Sequence, residues 1–226
     1  NGYDTSGVTE DIRNYASIVS VSGIKLTLDG QTVKISSAQT LLFDKTKPFK
    51  SPRGFILGYN TIVPGVIKFN DVIARLTNYR VRYREAGILI DTVLGKKYEL
   101  FNIEGRQFND NFIYPYNSTI TFSYNPFIGQ PSGFDIATPK EITGSVRLVD
   151  LNNQNKFNAE LLWDAAFVNN FSIIIGGVKN SNRQVVPFFR IKTKDDGSLI
   201  IPNNIVKNIP RDMFNKISIT FVRKYD

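Results

Sequence analysis

"NYRVRYRE", residues 78–85, alternates two kinds of side chain. Tyr79, Val81 and Tyr83 occupy the odd positions, and Arg80, Arg82 and Arg84 the even ones. Successive residues of a β-strand point to opposite faces, so this stretch predicts a strand with an aromatic and branched inner face and a guanidinium row outside. A helix would scatter both sets around its axis. Period two therefore decides the secondary structure here, and the same style recurs along the chain.

Working outward, "VSGIKLTLDGQTVKISS" (residues 21–37) gives two short runs around Asp29–Gly30. An Asp-Gly pair between alternating segments is a strong hairpin signal. "GFILGYN", "GVIKFN", "VIARLTNYRVRYRE", "GILIDTVL", "KKYELFNI" and "STITFSYNP" follow, punctuated by Gly, Asn or Pro. The second half continues with "GSVRLVD", "FNAELLW", "FSIIIGG", "QVVPFFRIK", "GSLII" and "KISITFVRK". Asp195-Asp196-Gly197 is expected to close a hairpin between "RIKTK" and "SLII". Pro187 cannot donate to a ladder, which places it at an edge or a bulge. Helical expectations are confined to "PNNIVKNIPRDMF", fenced by Pro202 and Pro210, and a weaker turn in "EDIRNYASIV". Many short strands, turn signals about every 8–12 residues and almost no helix predict an all-β sandwich or barrel.

A cluster of Gly129, Pro131, Gly133 and Pro139 interrupts the pattern. The expected organisation is a polar tether over residues 1–16, a first β-sandwich over 17–139 and a second, Ig-like sandwich over 140–226. A single merged sandwich is the alternative. At 226 residues, either arrangement can bury a core unaided by metal or disulfide.

The chain has no Cys and no His. That inventory excludes thiol nucleophiles, Ser-His-Asp triads, Cys-ligated zinc and His-ligated metals. No cofactor or metal is expected. "DLNNQN" (150–155) opens like a calcium loop but lacks the Gly and distal Glu of an EF-hand. No apolar run approaches the roughly 18 residues that span a bilayer as a helix. The first residue is Asn rather than Met, so a signal peptide or anchor cysteine is expected upstream.

The net charge of +8 is unevenly spread. Lys45, Lys47, Lys50, Arg53, Lys68, Arg75, Arg80, Arg82 and Arg84 face a single acid, Asp71, between residues 45 and 84. That window carries the whole net charge. The candidate anion-binding set is Arg80, Arg82 and Arg84 with the basic, Pro-bearing loop of Lys45, Lys47, Lys50 and Arg53. Two resolutions stand side by side. In one, cross-strand acids (Glu85, Asp91 or Glu99) interleave with the arginines, and the row is an ordinary wet face. In the other, an anionic glycan, a lipid head group or an acidic protein neutralises it. Nucleic acid is disfavoured, because the Tyr and Arg side chains of this strand lie on opposite faces and cannot stack and neutralise together.

Tyr114 and Tyr116 bracket Pro115 in an Asn-rich stretch and are the candidate glycan-stacking residues, set against rings that merely cover the edge of a core. Trp163, the only tryptophan, shares a strand face with Ala159 and Leu161 and is expected in the core.

Over its last 70 or so residues the chain carries "AELLWD", "FSIIIGG", "KDDGSLIIPNNIVKNIP" and "ISITFVRKYD". This series resembles the closing β-sandwich of certain bacterial cell-envelope lipoproteins, in which a "DDGS" turn leads into a strand ending "IP", a helical turn and a last strand rich in Val, Thr and Arg. The resemblance brings no catalytic residue. It implies an extracytoplasmic, surface-attached, non-enzymatic binding or structural protein. The competing expectation is a carbohydrate-binding accessory protein or a glycan-active enzyme.

Overall fold

A computed structural model describes residues 15–28, 31–85, 87–107, 109–150, 157–179, 185–208 and 214–225. The turn residues Asp29 and Gly30, most of the 1–16 tether, residues 10–14 of the weaker helical expectation, and residues 151–156 of the calcium-like stretch lie outside that set. The protein is all-β: fifteen strands and one four-residue helical turn are found among the described residues. The chain divides into two compact units, Asn1–Ala137 and Thr138–Asp226.

The first unit holds β1 (Ser17–Leu28), β2 (Gln31–Lys50), β3 (Ile56–Thr61), β4 (Gly65–Phe69), β5 (Val72–Ile73), β6 (Arg75–Glu85), β7 (Ile88–Ile103), β8 (Thr119–Pro126) and β9 (Ser132–Ala137). One sheet runs β1-β2-β7-β6 with β3 attached to β2, and a second runs β5-β4-β8-β9; every pairing is antiparallel. The hairpin expected at Asp29–Gly30 joins β1 to β2 in unbroken register from Leu28↔Gln31 to Ser17↔Leu42. Ser17–Val19, read as part of a weak helical turn, belongs to β1 instead, where Ile18 is buried.

Strand β2 is the pivot of this unit. Its buried residues are Ser36, Ala38 and Thr40, then Leu41 and Phe43. The switch from even to odd positions means that the two ends bury opposite faces. Ala38 lies in a core with Ile67, Phe69, Leu100, Ile120 and Phe122 from both sheets and Phe112 from the connection between β7 and β8. Leu41 and Phe43 lie in a separate cluster with Ile18, against which Tyr15, Tyr59 and Tyr79 pack. The ladder from β2 to β7 covers only Ile35–Thr40. Beyond it β2 pairs with β3 across two register shifts, with Pro48 opposite Tyr59. The basic stretch 45–50, expected as loop, is thus strand. Its irregular register, which tolerates Pro48, is what hides the alternation from a sequence reading.

The second unit holds β10 (Gly144–Asp150), β11 (Phe157–Trp163), β12 (Asn170–Lys179), β13 (Val185–Thr193), β14 (Ser198–Ile201), α1 (Asn203–Val206) and β15 (Phe214–Lys224). Its two sheets are β10-β11-β14 and β13-β12-β15. Leu161 and Trp163 from one meet Phe171, Ile173 and Ile175 from the other in a single core. The Trp163 and Phe171 rings stack with centroids 4.8 Å apart. Pro187 sits on an edge strand beside the register shift at Ile175/Gly176.

The Asp195–Gly197 turn does not close a hairpin. Strand β13 belongs to one sheet and β14 to the other, so the turn crosses between sheets, with Gly197 at φ +99°. A positive φ marks a turn but not which strands it joins, which is why the sequence pointed to a hairpin.

Candidate cationic face and hairpin tips

The inner face of "NYRVRYRE" is built from Tyr79, Val81 and Tyr83, all half-buried, and the outer face from Arg80, Arg82 and Arg84, all exposed. What covers the inner face is the β2–β3 ribbon. Phe43 meets Tyr79 edge-on at 6.1 Å between centroids, and Phe49 meets Tyr83 at 5.7 Å. Burial raises the Tyr79 hydroxyl above its ordinary pKa, as a dry interlayer should. Thr61 Oγ1 donates to the Leu94 carbonyl at 3.3 Å, tying β3 to β7. A bulge at Leu94–Gly95, with Gly95 at φ +118°, separates Asn78↔Lys96 from Arg80↔Val93. Bulges increase local twist, so the arginine row is re-aimed relative to the first half of β6.

On the outer face, Arg82 stands opposite Asp91 in the ladder. Arg82 Nε donates to Asp91 Oδ2 at 3.0 Å, and Arg80 Nη1 donates to Oδ1 at 3.3 Å. The hydrogen bond from Arg82, aided by the charge of Arg80, holds the Asp91 carboxyl below its ordinary pKa. One of the three interleaving acids named from the sequence therefore serves two arginines. Glu99 instead pairs with Lys97 and accepts from Thr77, and the side chain of Glu85 lies outside the described residues. Arg84 faces Leu89 across the ladder and meets no described carboxylate.

The other candidate cations divide similarly. Lys45 Nζ lies 4.1 Å from the centroid of the Tyr59 ring, a cation–π geometry that holds it against the ribbon. Lys47 pairs with Asp44 at 3.3 Å. Lys50 and Arg53 have no carboxylate partner among the described residues. Arg53 sits in a tight turn: Ser51 N–H donates to the Phe55 carbonyl, Gly54 N–H to the Ser51 carbonyl, and Phe55 N–H to Ser51 Oγ.

The two aromatic contacts also fix direction. From Phe43 to Phe49 and from Tyr79 to Tyr83 the chains advance together, so β2 and β6 run toward the same end. The β2–β3 turn follows directly after Lys50 and the β6–β7 turn directly after Glu85. The two hairpin tips therefore share one end of a two-layer wedge. Phe55 (68% exposed), Ile88 (68%) and Leu89 (61%) stand there in solvent. The sequence reading missed these three. The signal that could have found them is an apolar residue beside a turn glycine: Gly54-Phe55 and Gly87-Ile88.

Of the two glycan-stacking candidates, Tyr114 is corrected. Tyr114 is 8% exposed and belongs to the first unit's core, and Tyr116 packs against it with ring centroids 5.0 Å apart. Tyr114 N–H donates to Ser36 Oγ at 3.0 Å, docking this stretch onto β2. A Cβ on Gly23 would clash with the Tyr114 ring, so the ring rests directly on the β1 backbone. The Tyr114 ring, sealed in this way, offers no platform to a sugar, while Tyr116 stays half-buried. Polar neighbours in sequence suggested exposure; long-range packing on β1 and β2 decided otherwise.

Comparison of the chain with protein-family models, with curated proteins and with solved structures gives no match.

Proposed function

We propose that this protein is an exported, non-catalytic binding module of the bacterial cell envelope. It holds an anionic partner on the β6–β7 face and the neighbouring hairpin tip. The observation that carries this reading is the charge imbalance of that end. Arg80 and Arg82 share the single carboxylate of Asp91, and Arg84, Lys50 and Arg53 meet none among the described residues. Exposed like charges on a folded surface repel one another, and a counter-charge supplied by a partner relieves this. The absence of His and Cys from the sequence supports a binding role over the commonest hydrolytic chemistries. The resemblance of the last 70 or so residues supports the envelope location. The same proposal takes the tandem units as immunoglobulin-like sandwiches, a reading supported in the second by two facing three-stranded sheets.

The test is retention on heparin at low salt. The parent should bind and elute as salt rises, and a variant with Arg80, Arg82 and Arg84 all changed to Ser should pass through while melting as the parent does. Failure of the parent to bind overturns the reading. Localisation is tested separately by cell fractionation of the full-length product, where recovery in the cytoplasm overturns the envelope assignment.

A further inference from the structure

We infer that the paired hairpin tips form a wedge that docks on an anionic lipid bilayer, with Phe55, Ile88 and Leu89 entering the interface and Lys50, Arg53 and Arg84 meeting lipid phosphates. This deepens the reading above and rests on it.

Three observations converge at one end of the first unit. The first is the common direction of the two ribbons, fixed by the Phe43–Tyr79 and Phe49–Tyr83 contacts, which brings both turns to the same apex. The second is the exposure of Phe55, Ile88 and Leu89, although in the same ribbons Phe43 is buried and Phe49, Tyr59, Tyr79 and Tyr83 are half-buried. The third is the set of cations that precede the apolar residues along each hairpin. Lys50 and Arg53 flank the first turn and Arg84 precedes the second, with no carboxylate partner among the described residues.

A soluble polyanion would need the cations alone. Exposed apolar side chains interspersed with long basic ones match a bilayer surface, where acyl chains receive the apolar groups and phosphates receive the cations. Each basic residue near an anionic membrane contributes roughly five-fold in affinity, and each newly buried large apolar side chain roughly ten-fold or more. The Ser51 hydrogen bonds hold Phe55 and Arg53 in a set conformation, so little ordering remains to oppose docking.

The experiment is co-sedimentation of the whole protein with vesicles of phosphatidylcholine alone or of phosphatidylcholine containing phosphatidylglycerol, run beside the heparin column. The parent should pellet with the anionic vesicles and stay in solution with the neutral ones. Phe55→Ser with Ile88→Ser and Leu89→Ser should lower partitioning at least ten-fold and leave heparin retention unchanged. Lys50→Ser with Arg53→Ser and Arg84→Ser should lower both. A parent that binds heparin but not anionic vesicles overturns the bilayer inference and leaves the anionic-partner reading standing; a parent that binds neither overturns both. Equal pelleting of the apolar-to-serine variant reduces binding to adsorption by charge and overturns insertion. Should that variant lose its fold by circular dichroism, Ile88→Trp replaces it. Its fluorescence should be quenched by brominated lipid, with the parent, whose single tryptophan is buried in the second unit, as the blank. Absence of quenching counts against the inference.

Discussion

Arg223 grips Asp195 through both carboxylate oxygens, Nε to Oδ2 at 2.8 Å and Nη2 to Oδ1 at 3.0 Å, and both side chains are sealed from solvent. The pair has further partners. Trp163 Nε1 donates to Asp195 Oδ1 at 2.9 Å, and Arg223 gives two further donors to the carbonyls of Lys140 and Asp164. A buried ion pair persists only when its spare donors and acceptors are satisfied in this way. The network also locates the sheet crossover, because Asp195 begins the turn between β13 and β14 while Arg223 lies on β15.

Asp195→Asn should destabilise the second unit by about 3–5 kcal/mol, since it leaves a buried guanidinium without its counter-charge. The double change Asp195→Asn with Arg223→Met should recover much of that loss. Chemical denaturation of both variants measures it, and an additive pair of effects would count against the network.

Acid should act through the same carboxyl. Burial pushes Asp195 upward in pKa, but the hydrogen bonds from Arg223 and Trp163 outweigh it and hold the group below its ordinary value. A lowered folded-state pKa contributes stability above the unfolded value of about 3.9, which is lost as pH falls through the folded one. The melting temperature of the second unit should therefore drop steeply below pH 4, and Asp195→Asn should flatten that slope. An unchanged slope in the variant would refute the assignment.

Gly23→Ala should destabilise the first unit by about 1–3 kcal/mol through overpacking against Tyr114. Tyr114→Ala, which empties a core position, should lose about 3–5 kcal/mol. If Tyr114 were an exposed sugar platform, its removal would change stability by less than about 0.5 kcal/mol. Thermal unfolding of the two variants separates these cases.

Asp91→Asn should release Arg80 and Arg82 together. More salt should be needed to elute this variant from heparin than the parent, with the melting temperature nearly unchanged, because the pairs are exposed. Unaltered or weaker retention would mean that the arginine row takes no part in anion binding.

The sequence by itself determined the all-β class, the strand at 78–85 with its two chemically distinct faces, and the burial of Trp163 in phase with Ala159 and Leu161. Each is a local consequence of side chains alternating across a pleated backbone, so a window of a few residues contains the answer. It also determined the charge imbalance, which is a matter of counting. What only the tertiary structure decided is which face meets what. The two-core role of β2 depends on a change of burial phase between Thr40 and Leu41, where two adjacent residues with no distinctive chemistry turn to opposite cores. The burial of Tyr114 depends on Gly23 and Ser36, the latter 78 residues away, and the Asp195–Arg223 pair spans 28. A turn such as Asp195–Gly197 fixes the backbone angles but leaves the next strand free to pair within its sheet or cross to the other. That choice follows from the long-range burial of apolar area and the pairing of buried charge, which no short window of sequence contains.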